Sequence, residues 1–164
     1  MKIIKEIVPY LVVIVLVILV RTFIVTPVRV DGSSMYSTLS NNDLLLLKKY
    51  DKSYDRFDIV VFKYNNKRLI KRVIGLPGEH VKYQNNKLYI NNKLVTDNYG
   101  NGKTYDFDLS ELNYETIPKG YYFVLGDNRQ NSSDSRMIGL VSEKDILGIA
   151  DIRFFPFTKI GKIK

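Results

Sequence analysis

The stretch VDGSSMYSTL, Val30 to Leu39, places three serines, Ser33, Ser34 and Ser37, within five positions beside Gly32. A serine hydroxyl attacks a carbonyl only when a base takes its proton. The usual base is histidine, and the chain has one, His80, in the turn LPGEHV. A Ser-His-Asp arrangement would need that single residue at the serine, whereas its Pro-Gly context predicts a solvent-exposed turn. Lysine is the alternative base. With an ordinary pKa near ~10.4, only about one lysine in 2,500 is neutral at pH 7. Burial against apolar groups lowers that pKa by ~3–5 units. Lys71 has the neighbours for it, lying in LIKRVIG among Leu69, Ile70, Val73 and Ile74. Strand alternation puts Lys71 on the face of Leu69 and Val73, where a charge must be neutralised, paired or edge-exposed. The competing reading makes Lys71 and Arg72 edge-strand charges that discourage aggregation.

A third cluster, LGDNRQNSSDSRMIG from Leu125 to Gly139, is dense in side-chain hydrogen-bonding groups. It lacks the register and terminal glutamate of a calcium loop. Asp134 and Arg136 are two apart and can pair across a turn. The plainer reading is a loop held by local hydrogen bonds. Asn131-Ser132-Ser133 also matches a glycosylation sequon. The chain has no cysteine, so disulfides and cysteine-ligated metals are excluded. No metal and no cofactor is expected. The net charge of +8 comes from dispersed lysines and arginines, with no helix-turn-helix or zinc-finger pattern. That argues against nucleic acid and leaves a solvated face or an anionic membrane surface.

These clusters need a scaffold to hold them together. The N-terminus reads MKIIKEIVPYLVVIVLVILVRTFIVTPV, and nothing from Ile7 to Val20 is charged. Fourteen residues are short for a span that needs about 20. If Arg21 reaches to the headgroups, Ile7 to about Val25 suffices. A cleaved secretory signal would need small residues after the apolar run, where this chain has Arg21, Thr22, Phe23, Ile24 and Val25. Residues 1–26 are therefore expected to be a retained, single-pass membrane anchor. Lys2 and Lys5 place the N-terminus in the cytoplasm and residues 27–164 on the extracytoplasmic face.

Beyond Pro27 the pattern turns to short runs of period two. Strands are predicted at Val28–Val30, Leu44–Lys48, Phe57–Tyr64, Leu69–Gly75, Tyr121–Gly126 and Ile146–Phe154. Between them EHVKYQNNKLYINNKLV reads as a meander turning at Asn85-Asn86 and Asn91-Asn92. Residues 96–116 read as a polar surface excursion, and Ser142–Asp145 as a single helical turn. The fold class is mainly β, an antiparallel β-sheet domain with one N-terminal transmembrane helix.

Taken together and in this order, the clusters resemble the bacterial type I signal peptidases. GSSMYSTL resembles the family's nucleophile box, in which the serine before methionine attacks, here Ser34. RFDIVVF resembles the strand box that follows. KRVIGLPGE resembles the box whose first lysine is the general base, here Lys71. GDNRQNSSDSR resembles the last box, whose serine, here Ser132, hydrogen-bonds and orients the lysine, braced by an ion pair, here Asp134 and Arg136. The match runs from roughly Ile7 to Phe157. It implies a membrane-bound serine endopeptidase that removes signal peptides from exported preproteins through an acyl-enzyme. It implies antiparallel sheets forming a cleft beside an anionic bilayer. It also implies shallow pockets for small residues, lined by Val28, Val30, Met35, Leu39 and Ile70.

The chain departs from the family pattern at two places. Proline usually stands where this chain has Ser37, and some members carry a Ser or Thr, serving the oxyanion, where this chain has Gly32. The oxyanion would then rely on the Ser34 N–H and a second, unnamed donor. Other readings follow from the same residues. The first is a catalytically impaired, membrane-anchored module that binds signal peptides. The second is a protease of mitochondrial inner membranes. The third is a relative of self-cleaving repressors, which would need a DNA-binding domain and an Ala-Gly site that this chain lacks.

Overall fold

A computed structural model describes residues 2–23, 25–50 and 52–163, with side chains for 6–19, 26–50 and 52–163. Helix α1 covers Lys2–Phe23 and passes almost directly into strand β1, Val25–Arg29. The described side chains of α1, residues 6–19, are all exposed. Among the described residues no helix is long and apolar enough to cross a membrane. The side chains of Lys2 and Lys5, on which the expected orientation rests, and of Arg21, on which the expected span rests, lie outside the described ones.

The rest is antiparallel sheet. Strands β2 (Leu44–Lys48), β3 (Ile59–Tyr64) and β4 (Lys67–Gly75) are followed by the meander β5 (Val81–Gln84), β6 (Lys87–Ile90) and β7 (Lys93–Val95). Then come β8 (Phe107–Asp108), β9 (Tyr121–Leu125), the one-turn helix α2 (Ser135–Ile138), β10 (Val141–Ser142), β11 (Ile146–Phe155) and β12 (Gly161–Lys162). A large sheet has the order β1-β2-β11-β3-β4-β9-β10, with β12 on β11. A small one has the order β7-β6-β5-β8. Asn65-Asn66, Asn85-Asn86 and Asn91-Asn92 all adopt positive φ. Paired left-handed residues make the tight turn whose twist suits a hairpin, and asparagine tolerates them.

Strand β3 shows why the core divides. Ile59 and Val61 join one apolar cluster with Val28, Val30, Met35, Leu39, Leu45, Leu47 and Ile70. Val60 and Phe62 join another with Tyr54, Val73 and Ile146. A strand buried on both faces reads as a continuous apolar run, as IVVF does. A third cluster, including Ile74, Phe123, Tyr83, Leu88 and Phe107, packs the end of β4 and β9 against the small sheet.

Residues 96–116 differ from the expected surface excursion. Phe107 is buried and stacks on Phe123 at 5.1 Å between centroids, and Leu109 is fully buried. The segment contributes β8 to the small sheet. Two apolar anchors in a polar stretch are too few to set a period, so tertiary packing decides. The Ser142–Asp145 turn forms as a short helix over Glu143–Asp145, with Ser142 accepting from the Lys144 N–H.

Candidate active site

The loop between β1 and β2 carries Ser34. Its base is closed by Val30 N–H to Asp43 O at 2.8 Å and Asn42 N–H to Val30 O at 2.9 Å. Within it, Tyr36 N–H donates to Ser33 O at 3.1 Å and Leu39 N–H to Met35 O at 2.8 Å, forming a tight turn. Met35 and Leu39 are buried beneath, which fixes the turn to the core. Among the described residues the Ser34 N–H has no acceptor, so it remains available as a donor. From behind, Arg153 Nη1 donates to Thr38 O at 3.2 Å and to Asp43 Oδ2 at 2.9 Å.

Lys71 is 3% exposed, and Nζ lies 2.7 Å from Ser34 Oγ and 3.1 Å from the Ile70 carbonyl. Among the described residues it forms no ion pair. Burial lowers its pKa from an ordinary 10.5 to about 8, against a partial upward pull from Asp134 and Asp127. About one molecule in ten then carries neutral Lys71 at pH 7, and about half at pH 8. The edge-strand reading of Lys71 and Arg72 is thereby corrected. Both side chains are buried, because β9 and the serine loop cover this end of β4.

Arg72 is held differently. Nε and Nη2 grip Asp127 at 2.9 and 2.7 Å, Nη1 donates to Phe57 O at 2.8 Å, and the Tyr99 ring stacks at 3.7 Å. Thr38 Oγ1 donates to the same carboxylate at 2.5 Å, tying the serine loop to the pair.

The loop after β9 closes the site. Gly126 is needed there: a Cβ would stand 2.5 Å from Ser34 O and 2.6 Å from Ser132 Cβ. Asn128 N–H donates to Ser34 O at 3.0 Å, and Asn128 Nδ2 to Ser33 O at 3.2 Å. Asn131 Nδ2 donates to Ser33 Oγ at 3.2 Å. Asp134 and Arg136 form a two-pronged pair, both contacts 2.8 Å, and Asp134 also accepts from Gly126 N–H at 3.0 Å. The hydrogen bond from Ser132 to Lys71 is not made. Ser132 Oγ is buried without a partner among the described residues, and Lys71 turns to the Ile70 carbonyl instead.

A groove of about 250 Å³ runs up to the Ser34–Lys71 pair. Val28, Val30, Met35 and Ile70 line it, while Leu39 lies wholly in the core beneath. The groove has unpaired strand edges along it. Among the described residues strand β1 pairs only with β2, and β9 pairs with β4 only from Arg72 onward, leaving Arg68–Ile70 bordered on one side. Such edges can accept an extended peptide as an added strand. A larger hollow of about 620 Å³ opens beside the β3–β4 turn, lined by residues such as Lys63, Lys67 and Asp145, and holds no serine or buried base. His80 serves elsewhere, with Nδ1 2.8 Å from Glu115 O and Nε2 3.4 Å from Asp108. Among the described residues no group of His, Asp or Glu side chains is placed to hold a metal ion.

The sequence profile of the family described as "Signal peptidase, peptidase S26" matches residues 3–155. This chain belongs to the S26 signal peptidases. Like them it is a serine endopeptidase. It is 40% identical over 166 residues to signal peptidase I P of Bacillus subtilis subsp. natto, covering 94% of this chain and 90% of that one. It is 37% identical over 190 residues to signal peptidase I of Streptococcus pneumoniae, covering 93% of each. Among solved structures, a signal peptidase I from Enterococcus faecalis superposes with TM-score 0.56 at 40% identity, over 59% of this chain and 96% of that one.

The departure from the family pattern at Gly32 has a local cause. Gly32 has φ +96°, where a side chain would strain the backbone although nothing lies within 4 Å. Its N–H is tied to Asn41 Oδ1 at 3.0 Å. Several site residues escaped the sequence reading: Thr38, Arg72, Asp127, Asn128, Arg129 and Arg153. One signal could have found the central pair. Two adjacent cations in a strand buried on both sides call for a carboxylate, and Asp127 stands in the box already singled out.

Proposed function

We propose that this peptidase cleaves signal peptides from exported preproteins, with Ser34 as nucleophile and neutral Lys71 as general base. The observation that carries the reading is the 2.7 Å approach of Lys71 Nζ to Ser34 Oγ, with the lysine buried and unpaired. Lys71 takes the Ser34 proton as Oγ bonds to the scissile carbonyl carbon. The oxyanion is met by the Ser34 N–H. Collapse breaks the C–N bond, and the Lys71 ammonium returns the proton to the leaving amine. Lys71 then takes a proton from water, whose oxygen bonds to the acyl carbon; the C–Oγ bond breaks, and the Lys71 ammonium returns the proton to Ser34 Oγ. Ser132 Oγ, without a partner in the resting site, turns to accept a hydrogen bond from the Lys71 ammonium as each step forms it, while Asp134 and Arg136 hold its loop.

The signal peptide lies extended in the groove, its small residues against Val28, Val30, Met35 and Ile70, with Leu39 filling the floor from below. Residues 1–26 anchor the enzyme in an anionic bilayer, N-terminus cytoplasmic and peptidase domain outside. An apolar helix with every described side chain exposed supports this, since such a surface needs cover. Confinement to the membrane raises the effective concentration of substrates arriving there.

Cleavage of a preprotein in vesicles tests the assignment. Ser34→Ala and Lys71→Arg are expected to lose at least ~10³-fold in kcat, and Ser33→Ala to keep most activity. Persistent cleavage by Lys71→Arg, whose guanidinium does not deprotonate, would sink the general-base claim.

A further inference from the structure

Arg129, buried in the loop after β9, is gripped from two directions. On the small-sheet side, Nη1 donates to Thr104 Oγ1 at 3.0 Å and to Tyr83 Oη at 3.2 Å, and Nη2 lies 2.6 Å from Asp97 Oδ2. Tyr83 Oη donates to the same carboxylate at 2.6 Å. Gly100 packs close against the guanidinium, where a Cβ would stand 2.7 Å from Nη1. Burial acts to raise the Asp97 pKa, and Arg129 and the Tyr83 hydroxyl overcome it, holding the carboxyl below its usual range. Burial pushes the Tyr83 phenol well up, so it stays a donor. The network thus joins ionised and neutral partners, with Arg129 Nη2 meeting Asp97 as an ion pair rather than through an aligned hydrogen bond.

On the site side, Arg129 Nε donates to Gly126 O at 3.2 Å, and Arg129 O accepts from Arg136 Nη2 at 2.8 Å. The backbones are stitched as well, by Asn101 N–H to Asp127 O at 2.7 Å and Arg129 N–H to Asn101 O at 3.2 Å. Between these stitches lies Asn128, whose N–H holds the Ser34 carbonyl at 3.0 Å. Tyr99 of the same segment stacks on Arg72. Residues 97–104 therefore touch both buried arginines of the site without reaching Ser34 or Lys71 themselves.

We propose that residues 97–104, with Tyr83 of the small sheet, are a positioning element for the nucleophile: they fix Arg129, and through it the Gly126–Asn128 backbone that sets Ser34. A hydroxyl misplaced by about 1 Å can lose ~10²-fold in rate. The arrangement gives the small sheet a part in the chemistry that its distance along the chain hides. It rests on Ser34 being the nucleophile.

The test uses the full chain in vesicles and a graded series: Tyr83→Phe, Thr104→Val, Thr104→Ser and Asp97→Asn. Each is measured well below its melting temperature for kcat, KM and pH profile. Tyr83→Phe and Thr104→Val should lower kcat about tenfold and Asp97→Asn more, with KM within about twofold. The profile should keep its midpoint near the Lys71 value of about 8, because the base is untouched. Thr104→Ser, which keeps the hydroxyl, should restore kcat. Folded Tyr83→Phe and Thr104→Val enzymes with wild-type kcat would overturn the inference, and so would a shifted midpoint. If Asp97→Asn does not fold, the two single-group deletions decide. Cleavage by Ser34→Ala would instead remove the catalytic reading beneath it.

Discussion

Strand β4 has two halves that differ in what borders them. Arg68–Lys71 pairs with β3 on one side and faces the groove on the other. From Arg72 to Gly75, β9 takes over the second edge. The boundary falls between two adjacent cations. Lys71, last of the open half, is 3% exposed and has the Ser34 hydroxyl and a carbonyl for company. Arg72, first of the closed half, is 0% exposed and grips Asp127, also 0% exposed. The chemistry of the two groups explains the difference. A guanidinium keeps its charge everywhere, so burying it obliges the fold to supply a carboxylate. An ammonium can lose its proton, so it tolerates burial without a partner, and the neutral amine that results is a base.

The largest expected effect comes from splitting the closed pair. Asp127→Asn or Arg72→Met leaves one buried charge unpaired and should destabilise the fold by about 3–5 kcal/mol. Lys71→Met removes an unpaired buried cation and should leave stability equal or higher while abolishing cleavage. Denaturant unfolding of the three variants at pH 7 checks this. Equal losses in Lys71→Met and Arg72→Met would erase the distinction between the halves.

Next comes pH. The folded pKa of Lys71, about 8, lies below the ordinary 10.5 that holds when unfolded. Between those values the unfolded chain binds more protons, so this group makes stability rise with pH. Below pH 8 both states are protonated and burial of the charge costs roughly 3 kcal/mol. That cost fades as pH climbs toward 10.5. The stability gap between Lys71→Met and wild type should therefore be widest below pH 8 and close above it. In parallel, kcat/KM should fall about tenfold per unit below pH 8 and flatten above it. A gap that does not change with pH would mean Lys71 is not the titrating group.

The two halves were not equally legible. The meander strands could be read because their period-two runs end at Asn-Asn turns, a local signal with local physics. Ser34 and Lys71, which the fold brings together, could be singled out because four short boxes stand in order, though each alone is weak. The Arg72–Asp127 pair is separated by 55 positions, and nothing near Arg72 names its partner. Residues 96–116 hid β8 because Phe107 and Leu109 acquire their partners only in three dimensions. Leu39, assigned to a pocket by the resemblance, is fully buried in the core, a placement set by how the turn packs. Ser132 lies in the loop that closes on Ser34, but its hydroxyl does not meet Lys71, which bonds the Ile70 carbonyl instead.

The smallest effect probes the halves with one substitution made twice. Ile70 lines the groove in the open half, and Ile74 is fully buried in the closed half. Removing one methyl from either, as Ile70→Val or Ile74→Val, should cost about 0.5–1.5 kcal/mol of stability. Only Ile70→Val widens the groove proposed to take a substrate side chain. One methylene of fit is worth about 1–3 kcal/mol in kcat/KM discrimination. Ile70→Val should thus raise the relative kcat/KM for a substrate one methylene larger at the pocket residue by about tenfold. Ile74→Val should leave that ratio within twofold of wild type, because its lost methyl is sealed beneath β9 and the small sheet. If both variants shift selectivity alike, the groove is not bounded by the open half of β4, and the peptide must bind elsewhere along the sheet.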